Sequence, residues 1–456
     1  MMMRLMLLLS LVLVCYCYQN ICIGTKKNIN NRITYNSNSN DNANDNSNSI
    51  KTINDDVKDN IKITLTTPLL LGLGSLSSSL KSNADDRNYD KKDSVYNSPL
   101  PADAYTTLGN MNMCKIINGM WQVSGIITIT IIIVIIIILI FIIIGAHGYQ
   151  PNKELVVSSM SKHADKGFTT FDLADIYGPA ESYVGAFNKG PAASSQAKDC
   201  QFFTKWVPRP QEITQKKVDA AIDKSLLAMG TEQLDLLQFH WWDYDNKYYY
   251  DAMGGLMKLH DQEKIKNIGL CNFDTEHMLD LINEKAPIVS NQVSFSILDT
   301  RPLEKMVPAS LEHNVKLLTY GGLLGGFISS YWKGKPEPIY DSLTNVSLRK
   351  YLPWIQYWGG WRLFQELLTV LDKIAIKHSV SISNVAIRWV LDQPAVGGVI
   401  VGVRFGLSDH IRDNVQTFNL KLDDEDINAI KVVQGKGNKL YTIFGDTGNE
   451  YHRRSG

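Results

Sequence analysis

Neither sign of charge dominates this chain. Its 456 residues carry 46 Lys and Arg against 46 Asp and Glu, so the formal net charge is zero. No basic field of the kind that holds nucleic acid is present, and no nucleic-acid partner is expected. Cysteine is scarce as well. Of six in all, Cys15, Cys17 and Cys22 lie in the leader, leaving Cys114, Cys200 and Cys271. An odd number without metal-ligand spacing argues against a disulfide framework and a zinc site. A third absence is the G-x-G-x-x-G turn that would follow the first strand of an open dinucleotide-binding sheet. The run Gly321-Gly322-Leu323-Leu324-Gly325-Gly326 has neither that spacing nor that place in the chain.

What is present divides the chain unevenly. Residues 1–25 read as a targeting segment: Arg4 precedes the apolar run Leu5 to Val14, too short to span a bilayer comfortably and suited to a signal-peptide core. Residues 26–98 are rich in Asn, Ser and Asp, a composition that cannot bury enough apolar surface to offset its ordering entropy. A folded domain is expected over 99–434, followed by a C-terminal tail over 435–456. Inside the domain, Ile126 to Ile144 is an almost unbroken isoleucine run. Length and hydropathy make it a transmembrane candidate. It lacks an aromatic belt and a basic flank, and a repetitive insertion or untranslated sequence read through as coding fits it as well. Membrane contact through 126–144 is therefore one expectation among three.

Strand-like segments recur at intervals of roughly 30 residues, most followed by a helical pattern. They fall near Ile116–Gly119, Phe168–Ala174, Phe202–Trp206, Leu234–His240, Lys266–Asn272, Val289–Phe295, Val315–Tyr320 and Val399–Val403. From Thr214 to Met229, Val218, Ile222, Ser225, Leu226 and Met229 share one helical face, and Gly230 stops the helix. Eight strand–helix units predict an α/β fold, a (β/α)8 TIM barrel with a disordered leader and an isoleucine-rich insertion after the first strand. Phe327 to Trp361 breaks the rhythm with Pro336, Pro338 and Pro353 and the aromatics Trp354, Tyr357, Trp358 and Trp361. It reads either as a long excursion over the active-site face or as a capping loop packed by its own aromatics.

Functional groups of such a barrel sit at the C-terminal ends of its strands. There the chain places Asp172 and Tyr177, Lys205, His240, Asn272, Gln292 and Tyr320. Each alone is weak evidence, since a lone strand histidine is commonly a core residue and a lone lysine a solvated cap. Together they converge on one rim. Asp175 reads as structural.

The segments FDLADIYG (171–178), TKW (204–206), LDLLQFH (234–240) and IGLCNF (268–273) resemble the aldo-keto reductase family, in family order. The phrases NGMWQVSG, QFHWWDYDN, SNQVSFSILDTRP and FGDTGNEYHRR are most similar to a plastid-associated branch from photosynthetic organisms. The resemblance implies an NADPH-dependent reductase that turns an aldehyde or ketone into an alcohol by direct hydride transfer. It matches Asp172, Tyr177, Lys205 and His240 to the family's catalytic tetrad, with Tyr177 as proton donor. A tyrosine of pKa about 10 is a reluctant acid, and Lys205 beside it is expected to lower that value. The resemblance also assigns Asn272 and Gln292 to the nicotinamide carboxamide, Tyr320 to ring stacking, and Met120 and Trp121 to a cofactor loop. Arg404, His410, Asp413 and Asn414 fall at the adenosine end, with Arg404 suited to the 2′-phosphate. Cys271 replaces a common Ser and His410 a common Arg. No metal is expected. Trp206, Trp241 and Trp358 are candidates to wall a substrate pocket, or else to pack helices against the rim. The expected partner is a small carbonyl compound, and the expected state is a monomer or weak oligomer. Targeting follows the secretory route or leads to a plastid, with membrane-associated and cytoplasmic locations as alternatives. The rival reading is a cofactor-binding regulatory or membrane-associated interaction protein on the same barrel.

Overall fold

A computed structural model describes residue 96 and residues 98–123, 152–190 and 199–452. The leader and the isoleucine run lie outside the described residues. All described residues belong to one unit by their contacts. Two short strands come first. Tyr105–Leu108 (β1) and Met111–Cys114 (β2) pair antiparallel with Leu108 opposite Met111. The two-residue turn between them is Gly109-Asn110, and Gly109 has φ +56°. Such turns need positive φ, which glycine adopts without strain. A side chain there would also strike Asn267 Oδ1, 2.0 Å from an added Cβ.

The next eight strands close a parallel barrel. They are Ile116–Gly119 (β3), Thr170–Asp172 (β4), Gln201–Trp206 (β5), Leu236–His240 (β6), Ile268–Cys271 (β7), Ile288–Ser294 (β8), Lys316–Tyr320 (β9) and Val396–Gly402 (β10). β10 pairs with both β9 and β3, which completes the circle. All eight expected strands are present. Several are buried along their whole length, as parallel strands covered on both faces must be.

Helices surround the barrel: Lys153–Asp165 (α1), Ala180–Lys189 (α2), Gln215–Met229 (α3), Tyr249–Asp261 (α4), Thr275–Asn283 (α5), Met306–Glu312 (α6) and Val346–Trp358 (α7). Gly360–His378 (α8), Ile382–Leu391 (α9), Ile411–Asn419 (α10), Asp424–Gln434 (α11), Leu440–Phe444 (α12) and Asn449–His452 (α13) follow. The α3 helix buries Val218, Ile222, Ser225, Leu226 and Met229 and ends at Gly230 in the left-handed region, as its periodicity predicts. Among the described residues no helix is long and apolar enough to cross a membrane.

Alternation along the strands explains how the barrel is filled. Phe203 and Lys205 share a face of β5, and Leu236, Gln238 and His240 share a face of β6. The lower members of those rows, Phe203 and Leu236, pack with Ile117 and Leu318 against Leu108, Met111 and Met113 of the hairpin. The hairpin thus plugs the N-terminal end of the barrel, and the polar residues of the same rows are left at the other end.

Two expectations change here. Phe327 to Trp361 is not one loop: short turns lead into α7, which carries Pro353 inside it, and Trp361 already belongs to α8. Its aromatics pack among themselves, with Trp361 against Phe327 and Trp332, while α7 lines the site, so both readings of the segment hold in part. Residues 435–452 are likewise not a free tail. They form α12 and α13, which fold back over the mouth of the barrel.

Candidate active site

Four strands, β4, β5, β6 and β8, deliver one buried polar cluster. Asp172 ends β4 and Lys205 stands at the end of β5, both almost wholly buried. Lys205 Nζ donates to Asp172 Oδ2 at 2.7 Å and to the Leu173 carbonyl at 2.8 Å. The other oxygen, Asp172 Oδ1, accepts from Gln238 Nε2 at 2.9 Å and Gln292 Nε2 at 2.7 Å. Gln292 also donates to Gln238 Oε1 at 2.7 Å. Both oxygens of Asp172 are thus paired, which is the condition for keeping its charge in a core.

Tyr177 reaches the cluster from a turn after β4, with its N–H on the Ala174 carbonyl and Gly178 at φ +53°. Lys205 Nζ lies 4.8 Å from its ring centroid. His240 ends β6, its Nδ1 3.4 Å from Asn272 Nδ2, and Trp242 packs 4.3 Å from its ring. Asn272 follows β7 in the left-handed region at φ +57°, and its Oδ1 accepts from Tyr320 Oη at 2.7 Å. All seven groups expected at the rim line one cavity of about 1220 Å³. That exceeds the ~300–1,000 Å³ of ordinary small-molecule sites.

The electrostatics correct one expectation. Burial pushes the Tyr177 phenol above its usual value, and the opposing pull of Lys205 does not overcome it. For Lys205 itself, burial would lower the value, but Asp172 and Tyr177 outweigh it and raise the ammonium. Both groups hold their protons at neutral pH. Cys271, behind them, is pushed up to about 12 by burial and stays a thiol.

Asp175 stands apart from this cluster. Its Oδ2 accepts from Val207 N at 3.3 Å, and its Oδ1 is buried without a partner. Burial first, with Glu181 adding, lifts its carboxyl from 3.8 to about 6. Folding therefore favours the protonated form: the cost of the charge is absent below pH 3.8, grows through the window to pH 6 and is fully present above it. Asp175→Asn should accordingly stabilise the protein by roughly 1–3 kcal/mol at pH 8 and by little at pH 4. Urea midpoints at the two pH values check this, and an equal effect at both would sink it.

The same cavity is lined, past the end of β10, by Arg404, His410, Asp413 and Asn414. Asp413 is fixed by Ser381 Oγ at 2.9 Å and, through its carbonyl, by Asn384 Nδ2 at 2.9 Å. This donor set suits a nicotinamide dinucleotide. Side-chain amides and a flat aromatic ring lie beside His240, and the Arg404 guanidinium lines the same cavity. Gln292 has both amide hydrogens committed to Asp172 and Gln238, so only its Oε1 is left to meet a carboxamide.

Several expected residues are placed elsewhere. Trp121 lines the cavity, but Met120 is fully buried in the core. Trp206 stacks on Phe239, Trp241 donates to the Asp243 carbonyl, and Trp358 is buried at the C-terminal end of α7. None of these three lines the cavity, whereas Trp242 and Trp354 do.

Residues that sequence reasoning missed come mainly from α7 and the C-terminus. Tyr451 sets its ring 5.7 Å from His240 and its Oη 3.0 Å from Tyr320 Oη. Glu450 beside it pairs with the buried Arg301 at 2.8 Å. Asp446 accepts from Thr275 N at the start of α5. Gly448, at φ +92°, passes so close to the Asn272 carbonyl that an added Cβ would lie 2.2 Å from it. The phrase DTGNEY is thus a fitted strap across the rim. Its contacts with the rim are distant in sequence, so the phrase FGDTGNEYHRR does not by itself show what it touches.

A family model described as the Aldo/keto reductase family matches residues 142–434. Flagellar radial spoke protein 5 of Chlamydomonas reinhardtii is 30% identical over 179 residues, 35% of this chain and only 34% of that protein. Aldo-keto reductase YhdN of Bacillus subtilis is 27% identical over 281 residues, 58% of this chain and 80% of that protein. Among solved structures, the glycerol dehydrogenase of Gluconobacter oxydans superposes with a TM-score of 0.57 at 22% identity, covering 76% of this chain and 98% of that one. The last likeness shows the barrel fold.

Proposed function

Because the chain belongs to the aldo/keto reductase family, we propose that it reduces an aldehyde or ketone to the alcohol with NADPH, Tyr177 giving the proton. The observation that carries this reading is the Asp172–Lys205 pair, buried beside Tyr177 and His240 at one rim. Asn272, Gln292 and Tyr320 would hold the nicotinamide end and Arg404 the 2′-phosphate. When bound, the cofactor supplies the hydride.

The chain's own residues do the rest. His240 orients the carbonyl oxygen toward Tyr177. The Tyr177 hydroxyl delivers its proton to that oxygen as negative charge develops there. Its raised pKa keeps this proton available across neutral pH, and an alkoxide is a stronger base than the phenolate left behind. Lys205 stabilises that phenolate. Asp172 holds Lys205, and Gln238 and Gln292 hold Asp172. The test is oxidation of NADPH and of NADH against a panel of small aldehydes and ketones. NADPH should be used preferentially, and the Arg404→Gln variant should lose that preference by about tenfold or more. No turnover of any carbonyl would end the reading, and equal use of both cofactors by the unaltered protein would end the role of Arg404.

The plastid-associated branch is part of the same proposal and stands on the phrases NGMWQVSG and SNQVSFSILDTRP. Uptake of the full chain by isolated chloroplasts decides it. A second reading, a structural component of a larger assembly, has behind it the likeness to a flagellar radial spoke protein. The complete tetrad favours the enzyme.

A further inference from the structure

Among the described residues, one ammonium in the cavity meets no carboxylate. Lys350, from α7, lines the same space as the tetrad. Its Nζ donates to Tyr451 Oη at 2.8 Å. It lies 4.8, 5.3 and 5.4 Å from the ring centroids of Tyr320, Tyr351 and Tyr451. Those phenols and ring faces are its surroundings, and among the described residues it enters no ion pair. Lys333, Lys377, Lys436 and Lys439, by contrast, each meet a carboxylate. The nearby carboxylate that could have served, Glu450, has one oxygen on Arg301 Nη1 and the other on Arg301 Nη2. Lys350 is only partly buried, and tyrosine faces offset some of the hydration it loses while leaving its charge unmatched.

The position of this cation relates it to the reacting centre. The Tyr451 ring that touches Lys350 also lies edge-on to His240 at 5.7 Å and to Trp242 at 6.1 Å. A ligand whose carbonyl sits at His240 and Tyr177 would reach Lys350 by passing along one aromatic side chain. The mouth of the cavity is lined by Ile176, Tyr340 and Tyr357, each about half exposed, which suits an apolar body between two polar ends.

We propose that Lys350, held by Tyr451, is an anion-recognition point of this site, and that the substrate is a carbonyl compound bearing a carboxylate on an apolar or aromatic body. This rests on the reductase reading above. The anion at Lys350 could also come from the phosphates of the dinucleotide, and the test separates the two sources.

The full-length protein is assayed with benzaldehyde and with 4-carboxybenzaldehyde, and NADPH affinity is measured alongside by fluorescence. The ratio of kcat/KM for the carboxylated over the neutral aldehyde should fall about 10- to 100-fold in Lys350→Met and be largely restored in Lys350→Arg. A ratio that does not move overturns the proposal. So does a variant whose main defect is weaker NADPH binding, since the anion would then be the cofactor's. If the unaltered protein reduces no carbonyl of the panel above, the reductase reading fails; in that case, or if it reduces neither benzaldehyde, ligand binding decides the anion site by itself. Benzoate should quench tryptophan fluorescence at lower concentration than benzamide, and this difference should vanish in Lys350→Met. Equal binding of the two would overturn it.

Discussion

Tyr177→Phe should lower kcat by about a thousandfold or more while leaving NADPH affinity within about twofold. The substitution removes one oxygen and keeps the ring. The contact of Lys205 Nζ with the ring face at 4.8 Å persists, and Asp172 retains its three donors. What is lost is the proton source for the oxygen that receives charge, and a positioned general acid contributes about 10²–10⁴ in rate. A thousandfold loss corresponds to about 4 kcal/mol of transition-state stabilisation. Single-turnover oxidation of bound NADPH reads the chemical step directly, and fluorescence titration reads cofactor binding. Turnover within tenfold of the unaltered protein would remove Tyr177 from the mechanism. Lys205→Met makes a useful contrast. It leaves Asp172 charged and buried without its cation, so it should cost stability as well as rate, whereas Tyr177→Phe should cost rate alone.

How much of this was legible follows from which interactions are local. The eight strands were readable because each is a short apolar run closed by a turn, and the polar residues at their ends stood out against that background. The α3 face was readable because its period is internal to fifteen residues. The hairpin β1–β2 was missed although Leu-Gly-Asn-Met carries a two-residue turn signal, because strands of four residues with Thr and Asn show little pattern. The α7 helix was hidden by Pro353, whose missing N–H ordinarily argues against a helix interior. Trp241 and Trp242 are neighbours of the same type, and only the path of the chain after β6 decides which of them faces His240. The direction of the Tyr177 shift was misjudged for a related reason. Sequence shows that a lysine is near but not how deeply both are buried, and here burial is the larger effect. Glu450 and Tyr451 stood in the phrase FGDTGNEYHRR and Lys350 in none, but no role could be read for any of them, since each matters through partners about a hundred residues or more away.

The strongest of those distant contacts carries the second large expectation. Arg301 is fully buried and makes paired hydrogen bonds to Asp299, Nε to Oδ1 at 2.8 Å and Nη2 to Oδ2 at 2.9 Å. Its other edge holds Glu450 at 2.8 and 3.1 Å and the Asp446 carbonyl at 3.3 Å. Its guanidinium lies 4.9 Å from the Trp354 ring and 5.7 Å from Phe444. One side chain therefore ties the loop after β8, α7 and the C-terminal strap together. Arg301→Met keeps the volume but leaves two buried carboxylates facing each other, and removing one partner of a buried pair costs about 3–5 kcal/mol. The urea midpoint should fall accordingly. Loss of the strap withdraws Tyr451 from His240 and Lys350, so KM for a carboxylated aldehyde should rise in the fraction that remains folded. Truncation after Phe444 separates the two effects. Arg301 then keeps Asp299, so the stability loss should be smaller than in Arg301→Met while the rise in KM is at least as large. A truncated protein with unchanged KM would show that the strap covers the site without shaping it.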